Sequence, residues 1–173
     1  MLAAVLDNRC LNTYISIVPR PLHIELKQNK PFDLLEEETH LSIARTAALL
    51  EHAMVQVLKP HGLTPTQYNV LRILRGAGDA GLCRNEIGAR LLRPVPDVTR
   101  LLDRMTDQKL IGRAREDSDR RLVRTHITPK GLDVLARLDG PVRAFHKERL
   151  RGIGQQKLRQ LSDTLAELRD PEK

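Results

Sequence analysis

The central part of the sequence is rich in arginine, a residue well suited to bind phosphates and the edges of guanine bases. Residues 84–130 carry 12 Lys or Arg and 7 Asp or Glu, a net charge of +5, whereas residues 1–83 carry 8 of each. A planar guanidinium forms two parallel hydrogen bonds with a phosphate or a guanine edge, which a lysine ammonium does not do. Such charge is typical either of a protein that binds a polyanion or of a solvated basic surface.

Two of these arginines have a spacing that places them together. Arg100 and Arg104 are four residues apart, so a helix carries them on one face. Asp103 and Asp107 are at the right distance along the same helix to form ion pairs with them. The spacing alone therefore indicates either a face that binds nucleic acid or an ion-paired face in water.

The apolar pattern and the turn residues predict the elements that must position these arginines. Apolar residues spaced three and four apart indicate helices, and two short β-like runs flank a charged turn. The predicted helices cover residues 33–58, 64–75, 84–92, 96–109, 128–151 with a kink at Gly140-Pro141, and 155–169, and the predicted strands cover 111–114 and 122–127.

Capping residues predict where several helices begin. Thr64 and Gln67 form a capping box with Pro65 at the first helical position, and Asp33 and Glu36 have the same spacing. The stretch before the 96–109 helix, by contrast, is rich in proline and has no Ser or Thr cap. In the short helix 84–92 we expect three side chains to point inward, namely Ile87, Leu91 and Leu92.

The order of these elements predicts the fold class. A helix, a short helix, a turn, a second helix and a β-hairpin follow one another between residues 63 and 127. This is the order of a winged helix-turn-helix, so we predict a mainly α-helical protein with a small β-hairpin wing. In such a unit the helix after the turn, here 96–109, fits the major groove of DNA, and the short helix before it, here 84–92, crosses the backbone.

Several motifs in this order resemble the MarR family (multiple antibiotic resistance regulators). The resemblance covers about residues 34–170 and lies in residues 63–74 (LTPTQYNVLRIL), 85–87 (NEI), 97–105 (DVTRLLDRM), 117–121 (DSDRR) and 127–131 (ITPKG).

The resemblance implies a two-fold symmetric homodimer that binds double-stranded DNA and usually represses transcription. It implies helical dimerisation regions at 33–62 and 128–173 around a winged helix-turn-helix at 63–127. Residues 1–32 lie before the resemblance, and they are either an N-terminal arm or the result of an over-long start site. Arg121 matches the wing arginine that enters the minor groove, and Asp119 matches a residue that holds the wing. The candidate DNA-binding residues are Pro96, Thr99, Arg100, Arg104, Asp119, Arg120 and Arg121. For Arg120, contact with phosphate and simple solvation of the wing tip are both open.

The resemblance also implies release of DNA by a small phenolic or anionic effector. The candidate ligand-binding residues are His40, Arg45, His52 and Tyr68, each of which also fits a plain core or interface position. Cys83 precedes the short helix, where it is either a small capping residue or a redox sensor.

Composition argues against several other classes. The sequence has no phosphate-binding glycine loop and no nucleophile beside a base, so we expect no enzyme and no cofactor. The histidines have no metal-ligand spacing, and no apolar run is long enough for a membrane span, so we expect neither a metal site nor a transmembrane segment. The two cysteines, Cys10 and Cys83, form no disulfide framework, so we expect a protein of the reducing cytoplasm. With 2% aromatic residues, stacking on single strands is disfavoured. An architectural protein that binds DNA of any sequence remains the alternative.

Overall fold

The structure is a computed structural model that describes residues 20–115 and 123–170. The chain divides into two units, with the division between Leu49 and Leu50. The first unit contains a short helix α1 (Leu22–Glu25) and the first part of a long helix α2 (Leu35–Leu58). The second unit contains the rest of α2 and these elements in chain order: α3 (Pro65–Ala77), α4 (Arg84–Arg90), α5 (Val98–Asp107), β1 (Ile111–Arg115), β2 (Val123–Ile127), α6 (Pro129–Arg149) and α7 (Gln155–Leu168).

Helices surround a small apolar core in the second unit. Helix α3 turns one stripe inward, because its apolar residues recur at helical spacing. Side chains from α4, α5, β1 and α6 close the core around that stripe. Its fully buried members include Val70, Leu71, Leu74, Ile87, Leu102, Met105, Ile111, Leu135 and Leu138.

The two strands pair as an antiparallel hairpin. The register runs from Ile111 opposite Ile127 to Arg115 opposite Val123. Leu82, just before α4, adds a short bridge to this hairpin through two backbone hydrogen bonds with Thr125, of 2.8 and 3.0 Å. The predicted fold class, mainly helical with a β-hairpin wing, is confirmed.

Two helices begin at a threonine cap, and the one at Thr64 was predicted above. The Thr64 hydroxyl accepts from the Gln67 N–H, and the Gln67 side chain accepts from the Thr64 N–H, which closes the capping box at the start of α3. The Thr128 hydroxyl accepts from the Gly131 N–H at 3.1 Å at the start of α6. These local patterns fix the helix starts because they satisfy amides that have no partner within the helix.

Other predicted boundaries are wrong by a few residues. Helix α2 begins at Leu35 rather than near Asp33. Helix α5 begins at Val98 rather than Pro96, because Asp97 is its cap. Helix α6 ends at Arg149 rather than Arg151, and Pro141 lies inside it; the kink at Gly140-Pro141 stays a prediction.

The inward position predicted for Leu92 is also wrong. Helix α4 ends at Arg90, and Leu91 after it is extended, so the helical register does not reach Leu92. The side chain of Leu92 is 86% exposed, and its N–H donates to Asn69 Oδ1 at 2.9 Å. Ile87 is fully buried as expected.

Within the two described ranges, each helix is too short or too polar to cross a lipid bilayer.

Candidate nucleic-acid interface

Helix α5 has one face in the core and the other in water. Leu101, Leu102 and Met105 are buried in the apolar core, and the helix packs against α4 and β1. Thr99 and Arg100 in the first turn and Arg104 one turn later are exposed. The exposed face therefore presents a hydroxyl and two guanidinium groups to solvent.

Asp97 fixes the direction in which this helix begins. Its carboxylate accepts a hydrogen bond from the Arg100 N–H at 2.8 Å. The helix is thus capped although no Ser or Thr precedes it, since Asp is as good a cap as either. Pro96 lies exposed just before the cap and outside the helix.

Arg100 and Arg104 have no ion-pair partner among the described residues. The Arg104 Nε donates to the Arg100 carbonyl oxygen at 3.3 Å. Asp103, which sequence spacing offered as a partner for Arg100, lies instead 2.7 Å from a guanidinium nitrogen of Arg113 on β1. The two arginines on the exposed face are therefore available for an outside anion.

The Asp103–Arg113 pair ties helix α5 to the hairpin. The Arg113 side chain is only 30% exposed, so this ion pair is partly shielded from water. Arg113 thereby connects the two parts of the candidate interface.

The short helix α4 braces α5. A Cβ on Gly88 would lie 3.5 Å from Val98 Cγ2, which shows how closely the two helices approach.

At the start of α4 the Cys83 N–H donates to Glu86 Oε2 at 2.7 Å. This hydrogen bond is the main reason why the pKa of the Glu86 carboxyl is below its ordinary range, and the nearby charge of Arg124 acts in the same direction. Cys83 thus lies half-buried at a helix cap.

The far end of α5 is held by groups that sequence reasoning did not single out. The Gln67 side chain, otherwise part of the α3 capping box, donates to Gln108 Oε1 at 3.1 Å. The Lys130 ammonium donates to the Gln108 carbonyl at 2.9 Å, and the Thr128 hydroxyl donates to the Lys109 carbonyl at 2.7 Å. The capping box of Thr64 and Gln67 can be recognised in the sequence, but it does not indicate that Gln67 also contacts Gln108.

The candidate effector residues differ in exposure. His40 and Arg45 lie exposed on the part of α2 in the first unit, and His52 lies exposed on the part in the second unit. Tyr68 is buried in α3, and its hydroxyl accepts a hydrogen bond from Arg72 at 3.1 Å. Ligand binding by these residues stays a prediction.

The wing-tip residues Asp119, Arg120 and Arg121 lie outside the described residues, so their roles also stay predictions. In residues 20–115 and 123–170, no three His, Cys, Asp or Glu side chains come together as a metal site would require.

Comparison with known proteins gives a consistent family. A family model described as the MarR family matches residues 61–122. The transcriptional regulator TtmR of Methylorubrum extorquens is 30% identical over 136 residues, which is 79% of this chain and 68% of TtmR. Three curated Bacillus subtilis regulators also match, but the chain spans only 55 to 63% of their length.

Two solved structures extend this similarity to the fold. A MarR transcription factor from Planctomyces limnophilus is 33% identical, with a TM-score of 0.60 over 78% of this chain and 98% of that one. The transcriptional repressor CouR, solved on a 23-mer DNA duplex, is 26% identical, with a TM-score of 0.71 over 83% of this chain and all of that one. The resemblance inferred from the sequence motifs is confirmed.

Proposed function

The chain belongs to the MarR family, and from that membership we propose that it is a sequence-specific DNA-binding regulator of transcription that acts as a homodimer. The proposal includes repression at a palindromic operator and release by a small phenolic or anionic ligand.

The observation that carries the proposal is the exposed face of helix α5. Thr99, Arg100 and Arg104 share that face, and neither arginine is neutralised by a described carboxylate. A helix about 10–12 Å wide fits the major groove, where arginine binds the O6 and N7 atoms of guanine. The structure of CouR bound to a DNA duplex supports DNA binding by this chain.

An apolar stripe on α7 supports the homodimer. No residue of this helix is fully buried, although leucines recur along it at intervals of three, four and three residues. Leu161 is 49% exposed and Leu168 is 67% exposed. Helices with such a stripe associate with a partner, and a two-fold dimer would place two α5 helices about one DNA turn apart. The stripe consists of Leu158, Leu161, Leu165 and Leu168.

The experiment that tests the proposal is selection of binding sites from a random duplex library, followed by titration of the selected duplex. We expect a palindromic consensus, and tighter binding of that duplex than of random DNA. Arg100→Ala and Arg104→Ala should each weaken binding of the selected duplex by about 5- to 150-fold, the value of one base contact.

Arg137→Ala is the matched control, because it removes the same charge from an exposed position on α6. It should change the affinity by no more than about twofold, since its charge lies on another element. Equal affinity for selected and random duplexes would favour the architectural alternative. Equal losses in all three variants would show that α5 has no special role.

A further inference from the structure

Arg84, the first residue of α4, reaches across the helix-turn-helix to the exposed face of α5. Its Nη1 donates a hydrogen bond to the Thr99 hydroxyl oxygen at 3.2 Å. Both side chains are exposed, so this contact lies where DNA would approach under the proposed function. The resemblance to the MarR family implies a DNA contact for Thr99, whereas no motif in the sequence gives Arg84 a role.

The other contacts of Arg84 leave its charge without an opposite partner. Its Nε and Nη2 both point to the Asn85 side-chain oxygen, at 3.4 Å each. Among the described residues, the guanidinium has no carboxylate within ion-pair distance. An open groove of about 350 Å³ runs beside it, between Asn85 and Gly88 on α4 and Pro96 and Thr99 near the start of α5. The pair is therefore accessible from outside.

The hydrogen bond limits what the Thr99 hydroxyl can offer to a base. A hydroxyl has one donor and two acceptor positions, and Arg84 occupies one of the acceptor positions. The positive charge of Arg84 next to that oxygen also disfavours a second donor, such as the amino group of cytosine or adenine. Among the residues that the structure describes, no group accepts from the Thr99 O–H, so it can donate to a base.

We propose that Arg84 is a positioning residue that makes Thr99 a hydrogen-bond donor, so that Thr99 selects a base edge bearing an acceptor. In the major groove that edge is guanine O6 or N7, adenine N7 or thymine O4. This inference rests on the proposed function, because it assigns base preference within the same interface. A direct contact of Arg84 with a phosphate is the competing role, and it would weaken binding of every sequence alike.

The test uses the full chain and a set of duplexes in which each base pair of the selected half-site is replaced in turn. At one position we expect wild-type protein to prefer a base with a major-groove acceptor over cytosine, which presents only a donor there. The expected preference is about tenfold in affinity. Arg84→Ala and Thr99→Val should both reduce the preference at that same position, to about twofold. The double variant should lose no more than either single variant, because the two residues act through one hydrogen bond.

Arg90→Ala is the control, since it removes an exposed arginine from the other end of α4 and should keep the wild-type preference. Thermal unfolding should be unchanged in Arg84→Ala, because the side chain lies in water. The inference is overturned if Arg84→Ala keeps the wild-type preference, changes it at a position that Thr99→Val leaves alone, or weakens all duplexes equally. Failure of wild-type protein to distinguish any duplex would remove the proposed function itself, and this inference with it, before any variant is made.

Discussion

Asp97 is the residue on which the exposed face of α5 depends most directly. Its carboxylate accepts from the Arg100 N–H, so the same turn that carries Thr99 and Arg100 is fixed by the cap. The two prolines before it, Pro94 and Pro96, cannot donate a backbone hydrogen bond and keep the preceding chain out of the helix. The turn that carries two of the candidate DNA contacts is thus capped by one side chain.

We expect Asp97→Ala to lower the free energy of unfolding by about 0.5–2 kcal/mol, the usual effect of losing an N-cap. The same variant should weaken DNA binding, because the first turn of α5 frays. Asp97→Ser keeps an oxygen that can accept from the same N–H and should remain near wild type in both assays. Urea unfolding and duplex titration measure the two effects. A stable Asp97→Ala protein with wild-type affinity would show that the turn is held by packing alone.

Residue types and spacing predicted part of the candidate site. Arg100 and Arg104 could be identified because a single helix brings them together, and a four-residue interval is visible in the sequence. The partner of Asp103 could not be identified in this way. Arg113 lies ten residues away on a strand, and the spacing within the helix indicated Arg100 instead. The contact of Arg84 with Thr99 joins two different helices, and no local pattern encodes it.

At the scale of elements, the first turn of α6 packs tightly against Leu110, which lies between α5 and β1, and against the end of β2. A Cβ added to Gly131 would lie 2.3 Å from the Leu110 carbonyl oxygen and 2.8 Å from Ile127 Cγ1. The first of these atoms belongs to the backbone, so the contact could be relieved only by moving α6 away from the strand. This close approach is what allows the Thr128 hydroxyl to reach the Leu110 carbonyl at 3.0 Å.

Gly131→Ala should therefore lower the free energy of unfolding by about 1–3 kcal/mol, as overpacking usually does. Gly76→Ala is the matched control, because a Cβ on Gly76 near the end of α3 meets nothing within 4 Å. It should stabilise the protein by up to about 1 kcal/mol, since alanine favours a helix over glycine. Chemical unfolding measures whether each substitution lowers or raises the free energy of unfolding. Stabilisation by both substitutions would contradict the close packing of α6.

A bidentate ion pair connects α3 with α6. Arg75 donates from Nη1 and Nη2 to the two carboxylate oxygens of Asp139, at 2.9 and 3.0 Å. This hydrogen bonding holds the pKa of Asp139 below its ordinary value of 3.8 and raises the pKa of Arg75. Because the pKa of Asp139 is lower in the folded protein, the pair stabilises the fold above pH 3.8, and the effect is lost as the pH falls through the folded-state pKa.

We expect Asp139→Asn to lower the free energy of unfolding at pH 7 by only about 0.5–1 kcal/mol, because both side chains are partly in water. The difference from wild type should shrink below pH 3.8. Asp133→Asn, which breaks the exposed pair with Arg137 in the same helix, should have a smaller effect at pH 7. Urea unfolding at pH 7 and pH 3 gives both values. An undiminished difference at pH 3 would rule out the ion pair as its cause.

Element order could be predicted more completely than element ends. Thr64 and Thr128 mark helix starts through local hydrogen bonds, so both starts were predictable from sequence. The end of α4 depends instead on Asn69 of α3, whose side chain accepts from the Leu92 N–H. That contact stabilises an extended exit from the helix, and it exists only after the two helices have packed.

For the whole molecule, the excess positive charge and the leucine stripe of α7 lie in different parts of the chain. The net charge of +5 in residues 84–130 coincides with the part that contains α4, α5 and the hairpin. The leucine stripe of α7 lies later in the sequence, between residues 158 and 168. This separation is expected of a protein that uses one surface for a polyanion and another for a second copy of itself.

Leu161→Glu should convert the proposed dimer into a monomer. A carboxylate at the centre of the stripe would have to be buried against the partner helix without an opposite charge, which is strongly unfavourable. Gln156→Glu adds the same charge to the same helix at a position off the stripe, and it should remain dimeric.

Light scattering at micromolar concentration measures the mass of each variant, and duplex titration measures the consequence. A monomer engages only one half of a palindrome, so Leu161→Glu should weaken binding of the full site by about 10²-fold or more, the gain usually contributed by a second linked contact. Its affinity for an isolated half-site should stay near that of the wild-type protein, because α5 is untouched. A dimeric Leu161→Glu protein would place the interface elsewhere. A monomer with full affinity for the palindrome would separate dimerisation from DNA binding and remove the two-fold arrangement from the proposed function.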